Sequence, residues 1–284
     1  MRTTGTLTNE VSDLDSKVTD WAFWDDTYRF VQDLNIGYVA LNLADSTFAN
    51  LRLNLMLFVN SSGQIVYAKA FDLATQAETS LPSGLVEHVE SHSLLWNYSY
   101  EGGQTTGFVS ILECPVIIAS KPILTSQEEG PIEGALIFGR YLDAKEIGYL
   151  SSTAGFSIAV GSVVLADLPS DFKLAYSKMS DSSMVFVQPM NSDVVAGYAL
   201  TKDVYGDSAF MLRIDSTREI YQQGLTTVNY FLYSSLAVCI IFSGGVMISL
   251  ERGVVYPLSR ITTAIKGMGR SFSDLHAKPK LGTE

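Results

Sequence analysis

The segment YFLYSSLAVCIIFSGGVMISL, residues 230–250, decides how this chain is built. It carries no charged side chain, and the uncharged stretch around it runs for 31 residues, from Ile220 to Leu250. About 20 apolar residues are enough to cross a bilayer as a helix, so the segment predicts one transmembrane helix. The alternative is a buried core helix, but such helices seldom continue this far without a polar stripe.

The charges lie unevenly on the two sides of this segment. The whole chain of 284 residues has a net charge of -11 and only 17% charged residues, with a pI near 4.7. Residues 1–250 carry a net charge of -14, and residues 251–284 carry +3. The positive-inside rule therefore predicts a cell-membrane protein with a cytoplasmic C-terminus and an N-terminal domain outside. A nucleic-acid partner is excluded, because phosphate contact needs clustered Lys and Arg.

The beginning of the chain lacks the apolar h-region of a signal peptide. An outer body of about 220 residues needs an export or anchoring segment. We therefore expect this chain to be a piece of a longer protein, or to have lost an upstream helix from its gene. Cys114 and Cys239 fall in the outer body and in the membrane segment, so they are not expected to form a disulfide within one chain.

The N-terminal region has a heptad stripe of apolar residues, at alternating steps of four and three, with Asp25 in one slot. The stripe predicts a long helix over Thr6–Gln32. This helix serves either as a stalk in a helix pair or as a brace along a domain. The stripe consists of Leu7, Val11, Leu14, Val18, Trp21 and Tyr28.

Strand patterns follow this helix. Leu53–Val59 and Gln64–Ala70 flank the polar turn 60–63, which predicts a β-hairpin. A helix over Pro82–Trp96 and three further strands then indicate an antiparallel sheet with helices on one face, an α+β fold. A smaller second sheet is predicted over residues 156–216. The predicted divisions are 1–35 (stalk helix), 36–151 (membrane-distal unit), 152–217 (membrane-proximal unit), 218–250 (helix continuing into the span at about 230–250) and 251–284 (cytoplasmic tail).

Several motifs resemble the fourth class of CHASE domains, the extracellular sensor modules of prokaryotic histidine kinases and cyclases. The most specific is Asp20-Trp-Ala-Phe-Trp-Asp-Asp-Thr-Tyr-Arg-Phe30. The resemblance covers about residues 15–235 and implies PAS/Cache-like sheet units and a sensor role. The other matching residues are Tyr38, Asn42, Gly63, Lys121-Pro-Ile-Leu124, Gly130-Pro131, Gly134–Arg140 and Tyr205-Gly206 through Arg213 and Arg218 to Tyr221.

The tail resembles the start of a HAMP linker. Its apolar residues are spaced to share one face of a helix, as a parallel bundle requires. Only half of such a unit fits before the chain stops. The residues expected to transmit a signal are Arg218, Pro257, Leu258, Ile261, Ile265 and Met268. Small residues recur every four positions in the span, at Ser235, Cys239 and Ser243, which suggests a homodimer. The equal alternative is that small residues are simply common in membrane helices.

Two groups of residues are candidate ligand contacts. Trp24, Asp25 and Tyr28 suit a cation or an amine, with the aromatic rings as a wall. The favoured alternative is that these rings pack the helix on the sheet. Arg140 and Tyr141 end a predicted strand, where an Arg fork suits an anionic ligand, although an ion pair is an equal alternative.

Metal and cofactor chemistry is not predicted. His88 and His92 are one helical turn apart, but a closed zinc site needs about four ligands, and a solvated helix surface is the favoured interpretation. The third histidine, His276, does not resemble a kinase phospho-acceptor, and no P-loop, nucleophile elbow or dinucleotide motif is present. We therefore expect no cofactor, no bound metal and no enzymatic activity.

These patterns together predict the sensor region of a membrane receptor. A small molecule outside would shift the helix from Arg218 through the bilayer, toward a kinase or cyclase output module encoded elsewhere or lost. The alternative is an anchored outer-surface binding protein or enzyme that sends no signal. The sequence lacks a catalytic constellation, which disfavours that alternative.

Overall fold

The computed structural model describes residues 2–99, 102–111, 114–162, 168–179 and 184–275. The chain divides into two compact units, Met1–Thr217 and Arg218–Glu284. The first unit combines helices with antiparallel sheets, and the second consists of a long apolar helix and its continuation. The predicted α+β class, followed by one long apolar helix, is confirmed. The finer predicted divisions at residues 35 and 151 stay predictions.

The N-terminal region is a series of helices, and the single helix predicted over Thr6–Gln32 is interrupted. The break falls at Trp24, whose backbone is extended, with φ −122° and ψ 129°. Asp25 and Asp26 then lie in the first turn of a new helix, where carboxylates are stabilised by the helix dipole. No Pro or Gly marks this break in the sequence. The helices are α1 (Arg2–Ala22), α2 (Asp25–Asp33), α3 (Ile36–Asn42) and α4 (Asp45–Leu51).

Helix α1 braces the first sheet. Leu14 and Val18 of the heptad stripe are completely buried, and Val11 and Trp21 are partly buried in the same core. The helix packs on three strands of the sheet, which identifies its apolar stripe as a domain contact.

The first sheet is antiparallel throughout, with strand order β3-β2-β1-β6-β5-β4. The predicted hairpin forms the neighbouring strands β1 and β2. Its turn is closed by the Asn60 carboxamide, which accepts hydrogen bonds from the amides of Ser62 and Gln64. Gly63 supplies the left-handed conformation that the turn needs, with φ 83°. The strands are β1 (Leu55–Asn60), β2 (Ile65–Asp72), β3 (Ala77–Thr79), β4 (Thr105–Ile111), β5 (Cys114–Pro122) and β6 (Gly134–Tyr141).

Helices cover both faces of this sheet, so the expectation of helices on one face was wrong. Met56 and Phe58 face the core that contains α1. Leu55 and Leu57 face a second core, formed with α5 (Leu85–Ser91) and a turn of 3-10 helix at Ser93–Leu95. Both faces of β1 are therefore buried, which removes the polar alternation that would have revealed this arrangement.

A second antiparallel sheet follows, with strand order β7-β10-β9-β8. Its core is closed by α7, which was not predicted because its pattern is short and Leu174 on it is exposed. The smaller sheet predicted over residues 156–216 is present, although residues 163–167 and 180–183 of that range lie outside the described part of the chain. The elements are α6 (Ala144–Ala154), β7 (Ser157–Ser162), α7 (Ser170–Lys178), β8 (Val185–Pro189), β9 (Val194–Lys202) and β10 (Ser208–Thr217).

The second unit is helical. Helix α8 (Glu219–Leu250) is 32 residues long, and α9 (Tyr256–Leu275) follows after a π-helical turn at Glu251–Val255. The continuous helix Glu219–Lys266 contains an 18-residue window with a mean hydropathy of 2.0, none of it buried. It is therefore long and apolar enough to cross a membrane, as residues 230–250 predicted.

Candidate functional site

Trp24, Asp25 and Tyr28 lie where α1 gives way to α2, against the loop that joins β5 to β6. The Asp25 carboxylate accepts a hydrogen bond from the Ser126 amide at 2.9 Å, and the Asp25 amide donates to the Ser126 hydroxyl at 3.2 Å. Tyr28 donates its hydroxyl proton toward Glu133 at 3.3 Å. We call these five residues the clasp, because they fasten the loop to the helix break.

The aromatic rings of the motif pack inward. The Trp21 and Trp24 rings meet edge to face at 5.9 Å, and Trp21 also contacts Phe138 of β6 at 6.2 Å. Trp24 in turn lies 6.0 Å from the ring of Tyr38 on α3. Pairs at such distances stabilise packing. The geometry thus matches the packing alternative, in which the rings hold the helices on the sheet.

Arg140 lies on β6 with its side chain completely buried. Its guanidinium forms ion pairs with Glu10 and Asp13 of α1. It also donates to the backbone carbonyls of Leu51 at 3.2 Å and Arg52 at 2.8 Å. The fork that suggested an anionic ligand is therefore occupied by the protein itself, in an ion pair that is buried rather than at the surface.

The Asp13 carboxyl remains ionised in this network. Burial raises its pKa, but hydrogen bonds and charge interactions with Lys17 and Arg140 lower it more, so that the net pKa lies below the usual 3.8. The ion pair between Asp13 and Arg140 consequently persists throughout the neutral pH range.

Tyr141 lines a cavity of about 170 Å³ next to this network. Arg52 lines this cavity. One of its guanidinium nitrogens lies 2.6 and 2.8 Å from the two carboxylate oxygens of Glu146, and its Cζ atom lies 3.8 Å from the centroid of the Tyr149 ring. The volume suits a molecule the size of a few waters. The lining residues are Ala49, Arg52, Asn54, Leu73, Gln76, Tyr141, Asp143, Lys145, Glu146 and Tyr149.

A larger groove of about 280 Å³ lies between α2 and α3, beside the clasp. The stacked rings of Phe30 and Tyr38, 4.5 Å apart, contribute to its lining. Asp26 and Asp33 outnumber the single guanidinium of Arg29, so the groove has a net negative charge. The lining residues are Asp26, Arg29, Phe30, Asp33, Asn35, Gly37, Tyr38, Leu41 and Asn42.

The structure thus separates the predicted contacts. Trp24, Asp25 and Tyr28 share the clasp beyond the C-terminal end of α1, whereas Arg140 pairs with the N-terminal half of α1. Tyr141 lines the cavity with Arg52 and Glu146. Arg52 and Glu146 are distant in sequence and carry no local motif, so sequence reasoning missed them. Among the described residues, no group of three or more His, Cys, Asp or Glu side chains is placed to hold a metal ion.

The predicted transmitting residues lie on the second unit. Arg218 precedes α8, with its guanidinium 3.9 Å from the Tyr221 ring. Pro257 lies in the first turn of α9, where its missing amide cannot continue the preceding hydrogen-bond pattern, which accounts for the π-helical turn there. Leu258, Ile261 and Ile265 are each more than half exposed along α9. The Met268 side chain and residues 276–284 lie outside the described part of the chain.

Comparison with known proteins gives three findings. A family model described as the CHASE4 domain matches residues 6–160. The methanogenesis regulatory histidine kinase FilI of Methanothrix harundinacea (strain 6Ac) is 29% identical over 262 residues. That match includes 92% of this chain and 29% of the relative, so the chain spans less than a third of the kinase's length.

Two solved sensor structures are similar to this chain to different degrees. The extracellular domain of vpHK1S-Z8 superposes with a TM-score of 0.50 at 14% identity, covering 78% of this chain and 93% of that domain. The sensor domain of the histidine kinase DctB from Vibrio cholerae gives a TM-score of 0.40 at 8% identity, covering 76% and 93% of the two chains. The first of these likenesses supports the fold.

Proposed function

Because this chain belongs to the CHASE4 domain family, we propose that it is the extracytoplasmic input region of a membrane signal-transduction receptor. The observation that carries the proposal is the order of elements. The last strand of the sensor unit, β10, ends at Thr217, and the apolar helix that could cross a bilayer begins two residues later. The sensor family and the absence of a catalytic motif also favour a role without enzymatic activity.

The signal in this proposal is a shift of the helix that starts after Arg218. A ligand changes a two-state equilibrium only by the difference in its affinity for the two states. A difference of a few kcal/mol is enough to change which state dominates. The output would be a cytoplasmic kinase or cyclase module, for which the histidine kinase relative is a precedent.

The proposed orientation places Met1–Thr217 outside the cell and the C-terminus in the cytoplasm. We propose that the chain works as a homodimer. The support is electrostatic, because the chain before residue 251 has a net charge of -14 and the remainder +3. The exposed Leu258, Ile261 and Ile265 would then face a second copy of α9 in a HAMP-like bundle.

We place ligand contact in the α2–α3 groove and in the cavity lined by Tyr141. The groove suits a cationic or amine ligand, because Asp26 and Asp33 face the aromatic rings of Phe30 and Tyr38 there. Thermal-shift screening of the full chain in detergent, against amines and small metabolites, tests this assignment. A stabilising amine whose effect is lost in Asp33→Asn supports the groove, and an effect unchanged in that variant refutes it.

The signalling role is tested by changing helix register. The chain is joined to the output module of the histidine kinase relative, and one to four alanines are inserted after Leu250. Each residue rotates the following helix by about 100°. If the helix transmits the signal, the autophosphorylation rate changes as the helix rotates. It recovers partly when four residues are inserted, because four residues return the helix to nearly the same orientation. The same insertions after Gly282 are the control for linker length.

An anchored protein without signalling output gives a different result. In that case the insertions after Leu250 change kinase activity no more than those after Gly282, and autophosphorylation of the hybrid protein stays constant. That outcome would refute the transmitting helix and leave the fold assignment unaffected.

A further inference from the structure

A turn of the second sheet rests on the first sheet, beside the ring contact of Phe210 with Phe108. Residues 203–207 join β9 to β10, and the Val204 amide donates to the carbonyl of Phe108 on β4 at 2.9 Å. The Val204 side chain also packs on Gly107, where an added Cβ would lie 2.9 Å from a Val204 methyl group. The turn therefore connects the two sheets.

Two histidines and a tyrosine form the other half of this contact. His88 and His92 of the α5 region stack with ring centroids 4.2 Å apart and planes inclined by 23°. Tyr205 of the turn lies against both, with its ring 4.6 Å from that of His92 and its hydroxyl 3.0 Å from His88 Nε2. His92 Nδ1 lies 2.7 Å from the His88 carbonyl, which only accepts, so this nitrogen carries a proton.

The contact between His88 and Tyr205 is most favourable when the His88 ring is neutral. With His88 neutral, its Nε2 accepts the Tyr205 hydroxyl proton; a protonated ring must donate instead, and the hydroxyl loses that acceptor. Two protonated rings stacked at 4.2 Å also repel each other. Burial, and then the neighbouring His92, lower the pKa of His88 from its usual 6.5, while Asp203 acts in the opposite direction.

The charged groups around the contact are few. Glu87 and Glu90 belong to α5 itself, and Asp203 and Asp207 belong to the turn. The Asp203 carboxylate is engaged by the backbone of its own turn, since it accepts from the amides of Tyr205 at 2.9 Å and Asp207 at 2.8 Å. The Asp203 charge therefore reduces the free-energy cost of protonating His88 but does not remove it, and the net pKa of His88 stays lowered.

We propose that His88, His92 and Tyr205 form an acid-released latch that holds turn 203–207 on α5 in neutral conditions and frees it when His88 takes up a proton. His88 binds a proton more readily when the turn is undocked, because docking lowers its pKa. The latch is therefore fully closed above about pH 6.5 and weakens as the pH falls below that value. It makes the contact between the two sheets sensitive to external acidity. The latch depends neither on a ligand nor on a kinase.

Hydrogen–deuterium exchange of the full chain in nanodiscs tests the latch. The protection of peptide 203–207, corrected for intrinsic exchange, should fall between pH 7.5 and pH 5.0, since the lowered pKa of docked His88 makes proton uptake favour the undocked turn. The buried strand Leu55–Asn60 should stay protected. A uniform loss in both peptides, or no loss in 203–207, would overturn the proposal.

Matched variants identify the proton acceptor. His88→Gln keeps a polar group near Tyr205 but cannot titrate, so its peptide 203–207 should lose the pH dependence. His276→Gln removes the remaining histidine outside the latch and should behave as the wild type. A wild-type response in His88→Gln would overturn the latch. Should that variant not fold, the NMR titration of His88 in the wild-type chain decides, because a pKa at or above 6.5 contradicts docking in the neutral form.

Discussion

Replacing Arg140 with methionine distinguishes a structural arginine from a ligand-binding one. Methionine retains much of the length of the side chain and removes the charge and every N–H donor. In the folded chain this leaves the carboxylates of Glu10 and Asp13 without their buried partner, and it leaves the carbonyls of Leu51 and Arg52 without that donor.

The magnitude follows from burial. Arg140 is 0% exposed, and the Glu10 side chain that it meets is only 12% exposed. Removing one partner from a buried ion pair typically costs about 3–5 kcal/mol. For a folded unit of this size, each kcal/mol lowers Tm by about 2–4 °C. We therefore expect Arg140→Met to lower Tm by roughly 6–20 °C.

The assay is thermal unfolding of the full chain in detergent, followed by circular dichroism without added ligand. The matched control is Arg29→Met, because Arg29 is 67% exposed and its pair with Asp26 at 3.2 Å lies on the surface. That pair is worth less than about 1 kcal/mol. The structural role of Arg140 is refuted if both variants melt within about 2 °C of the wild type.

Three further substitutions test the fold, the clasp and the span. Gly134→Ala should cost at least about 3 kcal/mol in chemical denaturation, because its Cβ would lie 1.9 Å from the Val59 carbonyl oxygen. Asp25→Ala should cost about 1 kcal/mol and speed exchange of the Ser126 amide about fivefold, since that amide loses its acceptor. Ile241→Arg should reduce the carbonate-resistant membrane fraction, because a central arginine costs about 2.5–3.5 kcal/mol on insertion.

Each of these substitutions has a control in the same chain. Gly155→Ala changes a glycine with φ 73° and open space around it, so strain alone should cost much less than Gly134→Ala. Asp33→Ala removes a carboxylate from the same helix as Asp25 without touching the clasp, and should leave Ser126 exchange unchanged. Thr226→Arg places the charge before the most apolar part of α8, and should leave membrane extraction unchanged. Equal effects in variant and control would contradict the corresponding prediction.

Local patterns in the sequence were sufficient for several elements. The hairpin around Gly63 was predictable because its turn and both flanking strands are encoded within about 18 consecutive residues. The helix over Glu219–Leu250 was predictable for the same reason, since its length and composition alone meet the requirement for a span.

Tertiary contacts account for what the sequence did not reveal. The break at Trp24 depends on a loop a hundred residues away, because Asp25 exchanges hydrogen bonds with Ser126. The burial of Arg140 depends on Glu10, 130 positions earlier. No periodicity records such partners, and a strand-end arginine has the same local pattern whether it meets a ligand or a helix.

The clasp changes what the family resemblance means. The most specific motif of that resemblance contains Trp24, Asp25 and Tyr28. A second matching stretch, Lys121–Leu124, borders the loop that carries Ser126 and Glu133. The structure brings these two stretches together by packing and hydrogen bonds within the protein. The clasp residues therefore account for a shared fold, and they need not contact any ligand. Differences in ligand between members of such a family would then arise at residues outside the matching stretches, such as Asp33 and Asn35 in the α2–α3 groove and Arg52 and Glu146 in the cavity at Tyr141.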